Sequence, residues 1–297
     1  MQNPSKLVLA ILICLSFKSI AQQRLEIGAL VGGSFYQGDI LGQTVNEIAP
    51  NTHATASLQA GYFFNNHFGF RFSGGYGKMS GGDNFSEFPW RQRRNLSFHS
   101  TVYNAGLRAE YNLTGYNPAR GQYFTIYPFL GYQHVFFDPR TMYMGKEYRL
   151  QPLGTEGQGL AKYPNLKPYD LNVGSINYGA GMRLAVTEQI SLGLEVSLFR
   201  TFTDYLDDVA GKYVPYTDIL NEKGDFIAAS LSNRENELTG NDKITLRNHN
   251  EIRGNGSVSD YYYQFGLTLA YNIFDPFQEK AKKGYSRRKT SVSCFRF

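Results

Sequence analysis

Six charged residues in this sequence stand where their neighbours alternate between apolar and polar side chains: Glu26, Arg71, Arg108, Glu110, Arg183 and Glu195. Three guanidinium groups facing three carboxylates could line an ion path or serve catalysis, or they could neutralise one another as a packed polar plug. A narrow closed interior filled by side chains favours the plug, because an unpaired buried charge is costly. A second group is Asp204, Asp207 and Asp208 in RTFTDYLDDV. Clustered carboxylates bind calcium when about six to eight oxygens converge. The ligand spacing of such a loop is missing, so a cluster that caps strand ends and meets basic loop residues is expected. In QPLGTEGQG, Gly154, Gly157 and Gly159 could form an anion-binding nest. With no Lys and no following helix, a tight loop over the mouth of the fold is the better reading. Ser97, His99, Ser100 and His134 fall near the outer ends of two predicted strands, where a membrane lipid hydrolase would keep its Ser and His. No acid is placed to orient either histidine and no nucleophile motif surrounds the serines, so no catalysis, metal or cofactor is expected.

The elements that must position these groups are strands. Asp260 to Phe274 (DYYYQFGLTLAYNIF) puts Tyr261, Tyr263, Phe265, Leu267, Leu269, Tyr271 and Ile273 on one face, with small or polar residues on the other. Tyrosines at both ends with aliphatics between is the layout of a strand that crosses a bilayer. Seven more such segments precede it: Leu25–Tyr36, Ala54–Phe64, one from Phe68, one ending near Leu113, Tyr123–Phe137, one from Ile176 to Leu184, and one from Ile190 to Leu198. The six charged residues of the opening all fall on their non-apolar faces. No open sheet edge is tolerated in lipid, so the last strand must pair with the first. The spacing therefore predicts an all-β, eight-stranded antiparallel transmembrane barrel. Short and long connections alternate; in outer-membrane barrels the short turns face the periplasm and the long loops the outside, which returns both termini to the periplasm.

Composition agrees. The chain has 31 glycines, 15% aromatic residues and a mean hydropathy of −0.38. A barrel combines these naturally, because each strand is only half apolar. Residues 1–21 read as a secretory signal peptide, with Lys6, the apolar run Leu7–Phe17 and the cleavage site Ser19-Ile20-Ala21. The barrel is then 22–274, and 275–297 form a basic periplasmic tail. Losing Lys6 and Lys18 lowers the net charge from +5 to +3, while the tail alone carries +5. The basicity is thus a property of the tail, not a nucleic-acid footprint. Lys280, Lys282, Lys283, Arg287, Arg288 and Lys289 are candidates for docking an acidic partner, and Cys294, the one cysteine of the mature chain, for an intermolecular disulfide. A soluble lipocalin-like barrel is disfavoured by the charged inner face, and no small-molecule substrate is expected.

LEIGALVGGSFYQGDI at the mature start, QPLGTEGQG, RTFTDYLDDV and FGLTLAYNIF with its Cys-containing basic tail together resemble the PorG-type outer-membrane barrels associated with the type IX secretion system. The resemblance spans essentially the whole mature chain. It implies a non-catalytic integral component of the secretion machine, whose periplasmic side contacts a ring containing a lipoprotein. The alternative is a structural or adhesive barrel of the OmpA/OmpX kind, acting through its extracellular loops.

Overall fold

The computed structural model describes residues 24–42, 44–239, 251–256 and 258–274; residues 1–21, expected as a signal peptide, and residues 275–297 with Cys294 lie outside them. Among the described residues nine strands are present: β1 (Arg24–Gln37), β2 (His53–Phe63), β3 (Phe68–Gly82), β4 (Ser97–Tyr111), β5 (Phe124–Tyr143), β6 (Lys146–Arg149), β7 (Asn172–Ala185), β8 (Ile190–Thr201) and β9 (Tyr261–Phe274). Eight close into an antiparallel ring in the order β1-β2-β3-β4-β5-β7-β8-β9, and β9 returns to β1 from Arg24↔Phe274 through Gln37↔Tyr261. Gly32 meets Gly266 across this closing seam, where a Cβ on Gly32 would stand 1.9 Å from the Phe265 carbonyl oxygen. Only glycine allows the two backbones to approach so closely.

The expected eight-stranded barrel is therefore present, and β6 is an addition outside the ring. The fifth strand was expected to end at Phe137, yet β5 runs on to Tyr143 and turns back through Met144-Gly145, both at positive φ, into β6. Polar Asp138 and Arg140 end the apolar pattern without ending the strand, because hydrophobic alternation reports only the part of a strand that faces lipid.

Outward positions carry Ile27, Leu58, Phe72, Leu107, Leu130, Met182, Leu194 and Leu267, all exposed, around the whole circumference. Among the described residues no helix is long and apolar enough to cross a membrane, and this apolar band belongs to strands. A band of this kind has no place in water.

Between the strands, the long connections 38–52, 83–96, 150–171 and 202–260 all leave from one end of the ring. Their described residues fold together into a cap. It holds short helices α1 (Val45–Ile48), α2 (Pro89–Arg94), α3 (Tyr216–Lys223), α4 (Phe226–Ser232) and α5 (Asn236–Thr239). Helix α3 stops at Gly224, which takes the left-handed conformation, and Asp225 then caps α4 by accepting from the amides of Ile227 and Ala228. A continuous apolar core joins cap to barrel, with Tyr36, Met79, Phe98, Val135 and Phe199 from strands and Ile40, Leu206 and Leu231 from the connections. A second core, Leu160, Val214, Tyr216, Ile219 and Ala228, lies within the cap.

Candidate functional site

Near the short-turn end the barrel interior is a layer of charge. Arg71 on β3 donates to Glu26 on β1 at 2.8 Å and to Glu110 on β4 at 2.8 Å. Arg183 on β7 donates to Glu110 at 2.7 Å and lies 3.3 Å from Glu26, so two guanidinium groups and two carboxylates form a closed square. Arg108 binds Glu195 on β8 through two hydrogen bonds, and the Tyr127 hydroxyl donates to the same carboxylate at 3.1 Å. All six side chains are buried. The neutral count of three against three does not hold, however. Arg24, one residue before the first predicted strand, also points inward, 3.5 Å from Glu26, with its guanidinium over Phe63 and Tyr116 and a hydrogen bond to the Tyr116 carbonyl. The layer thus has four arginines and three glutamates, the fourth held by ring faces and a carbonyl dipole. Above it lie uncharged polar residues, among them Gln59, Asn104, Gln133 and Asn177, and above those the aromatic and aliphatic core. The interior is filled through its height.

The cap is organised by Arg253. Its guanidinium donates to Glu156 at 2.9 Å, to the Asp208 carbonyl at 2.8 Å and to the Ser232 carbonyl at 3.3 Å. Glu156 also accepts from the amides of Ala210 and Gly211, and Thr155 donates to Asp208. QPLGTEGQG and RTFTDYLDDV are therefore docked on each other. Gly154, Gly157 and Gly159 all have positive φ, and the turn they make delivers a buried carboxylate rather than an anion nest. Neither Glu156 nor Arg253 stands out in the sequence, since their meaning lies in a partner 97 positions away.

The three aspartates expected as one rim cluster differ in burial and in partners. Asp204 is partly exposed, while Asp207 and Asp208 are buried and committed. Asp208 accepts from the Tyr169 hydroxyl at 2.7 Å, and burial pushes its carboxyl up to about 6. Asp207 accepts from the Ile40 and Val209 amides and, at 2.7 Å, from the hydroxyl of Tyr36, which also lies 2.8 Å from Asp260. One hydroxyl hydrogen cannot serve two carboxylates, so the second contact needs a protonated acid. Burial first, then nearby acids, raise both: Asp207 to about 8 and Asp260 well above the ordinary range. Among the described residues no group of three or more His, Cys, Asp or Glu side chains is placed to hold a metal ion.

Residues 5–153 match a family described as a domain of unknown function, DUF6089. The chain belongs to this family. The matched stretch carries Glu26, Arg71, Arg108 and Glu110; Arg183, Glu195 and Arg253 lie beyond it. No protein of curated function matches the sequence. Solved structures similar to it include Ail, the attachment invasion locus protein of Yersinia pestis, in complex with the heparin analogue sucrose octasulfate, at 12% identity and a TM-score of 0.40 over 85% of this chain and 99% of that one. The outer membrane protein OprG from Pseudomonas aeruginosa is similar at 10% identity and a TM-score of 0.37, over 86% and 97%.

In this DUF6089 chain the serines and histidines singled out by sequence do not meet. Ser97 contacts Thr141 and Arg234, Ser100 accepts from the Asp138 amide, and His134 approaches the Tyr132 hydroxyl. His99 does gain an acid, Glu147 at 2.8 Å, but no serine. The contact that forms is His53 with Ser80, at 2.7 Å. Ser80 gives its hydrogen to Asn51 at 2.8 Å, so His53 is the donor to Ser80 and not its base. Docking residues Lys280, Lys282, Lys283, Arg287, Arg288, Lys289 and Cys294 lie outside the described residues.

Proposed function

We propose that this protein is a non-catalytic integral outer-membrane component of a type IX protein-secretion machine, anchoring a periplasmic lipoprotein ring to the membrane through its basic tail. The observation that carries the anchoring role is the filled lumen. Arg71, Arg183, Glu26 and Glu110 close its cross-section, so nothing passes through and the barrel acts as a fixed body in the bilayer. The link to secretion rests on the resemblance of the loop motifs, and it puts the short-turn end and both termini in the periplasm. A tail with a net charge of +5 would then meet an acidic ring surface close to the membrane.

The test is affinity purification from detergent-solubilised envelope with the full chain, a truncation after Phe274, and Cys294→Ser. Co-purification of a lipoprotein with the full chain and its loss on truncation support docking by the tail. Unchanged secretion and ring association after truncation would refute it. A reducible higher-mass band that needs Cys294 would add a covalent link; its absence removes only that part.

One observation favours the OmpA/OmpX-like alternative. The cap presents Phe88 and Trp90, each 56% exposed, beside Arg91 and Arg93, a composition typical of protein contacts. Loss of a surface partner on Phe88→Ser/Trp90→Ser, with the tail dispensable, would decide for action through the loops.

A further inference from the structure

The outward faces of β3, β4 and β5 change chemistry rung by rung toward the capped end. Phe72, Leu107 and Tyr132 stand side by side; two rungs higher come Tyr76, Tyr103 and Phe136. The next rung is Lys78, Thr101 and Asp138, and the one after it Ser80, His99 and Arg140. Tyr76 and Tyr103 pack with ring centroids 5.4 Å apart. Aliphatic residues, then an aromatic row, then charge is the sequence of environments met on leaving the hydrocarbon for the headgroups. Successive rungs on one face are separated by two residues, or about 6.6 Å, so Lys78 lies one short step above the aromatic row, at headgroup depth.

At that level a groove of about 320 Å³ opens between His53, Lys78, His99, Arg140 and the carboxylates of Asp138 and Glu147. The carboxylates are already engaged. Asp138 holds Arg140 and Arg149, and Glu147 holds Arg140 at 2.7 Å and His99 at 2.8 Å. Lys78 has no hydrogen bond or ion pair to its ammonium among the described residues. Arg140 uses three of its five N–H groups on these acids, which leaves two.

We infer that this groove binds the phosphate of a lipid headgroup in the leaflet at the capped end, with the acyl chains lying along Tyr76, Phe72 and Leu107. Lys78 supplies the charge, the remaining N–H groups of Arg140 supply direction, and the two histidines close the sides. The inference rests on the membrane-spanning reading of the barrel, not on any role in secretion.

The experiment is native mass spectrometry of the full chain purified in uncharged detergent. The probes are phosphatidic acid, the matching diacylglycerol without phosphate, and inorganic phosphate alone. Phosphatidic acid should bind one to one, more weakly by about tenfold in Lys78→Ala and nearly unchanged in Lys78→Arg, the scale of one charged hydrogen bond. Equal binding by Lys78→Ala and the unaltered chain overturns the inference. So does equal binding of diacylglycerol, which would make the groove an acyl site, or of inorganic phosphate, which would make it a free-anion site. The gel shift between unboiled and boiled protein, read on each variant, separates loss of the lipid site from failure of the barrel itself.

Discussion

Arg108 on β4 and Glu195 on β8 face each other across the lumen and are joined by two hydrogen bonds of 2.7 and 2.5 Å. Proximity in sequence suggests Glu110 as the partner of Arg108, but successive inward residues on one strand project in parallel, about 7 Å apart. Glu110 turns to Arg71 and Arg183, leaving Arg108 to the opposite wall. The lumen charges are therefore two groups: the square of Glu26, Arg71, Glu110 and Arg183, which Arg24 joins, and the pair Arg108–Glu195.

Removing one member of that pair strands the other in a buried site. Arg108→Ala should destabilise the barrel by about 3–5 kcal/mol, and Arg108→Ala with Glu195→Ala by clearly less. Arg108→Ala with Glu110→Ala should be worse than the single change, since it breaks both groups. Urea unfolding in lipid vesicles measures all three. Equal losses in the single variant and the Arg108/Glu195 double variant would mean that water reaches this pair.

On the outer face, Leu194 and Leu267 are register partners on β8 and β9 and are 47% and 68% exposed. Leu194→Arg or Leu267→Arg should cost about 2–4 kcal/mol at the bilayer midplane. Gly193→Arg points the other way and should fail by crowding, since a Cβ there already stands 2.4 Å from the Met182 carbonyl oxygen. The comparison uses unfolding in vesicles and in detergent micelles. A Leu267→Arg penalty that is the same in a soluble, lipid-free setting would deny the lipid contact.

How far the sequence speaks depends on what a pattern of period two can see. It locates the eight strands and the inward positions of Glu26, Arg71, Arg108, Glu110, Arg183 and Glu195, because a half-buried strand must alternate. It misses Arg24, which lies at the strand end where alternation has no second turn to register. It cuts β5 at Phe137, because Asp138 and Arg140 are polar on a strand that has risen past the lipid. It does not pair Glu156 with Arg253 or tell buried Asp207 from partly exposed Asp204, because the cap is held by contacts between distant loops that leave no period.

The acids under the cap give it a pH dependence. Asp207 is raised to about 8 and Asp208 to about 6, chiefly by burial; Asp260, Asp39, Arg94 and the Tyr36 hydroxyl surround the first, and Arg253, Glu156, Thr155 and Tyr169 the second. An unfolded aspartate releases its proton near pH 4, so between about 4 and 8 the folded cap binds more protons than the unfolded one. Cap stability is therefore greatest at acid pH and falls as pH rises through 6 and 8. Hydrogen exchange of residues 204–210 should speed up between pH 5 and 9 beyond the intrinsic chemical rate, and Asp207→Asn should flatten the trend. Protection that grows with pH would reverse the assignment.

The cap is also held by buried cations, of which Arg253 joins two of its connections. Arg253 is 2% exposed and holds Glu156 and the carbonyls of Asp208 and Ser232, so it ties together the two connections that precede β7 and β9. Arg253→Ala removes the one cation that the Glu156 carboxylate pairs with among the described residues and leaves it to neutral donors such as the Ala210 and Gly211 amides, a loss of about 3–5 kcal/mol of local stability. The strand ring contains none of these contacts, so the damage should stay in the cap. Limited proteolysis should cut Arg253→Ala within 150–171 or 202–239, while the protein keeps its membrane insertion and its boiling-dependent gel shift. Arg253→Ala with Glu156→Gln should recover part of the protection, because the neutral amide no longer leaves a bare charge. Loss of insertion in Arg253→Ala would show instead that cap and barrel fold as one cooperative unit.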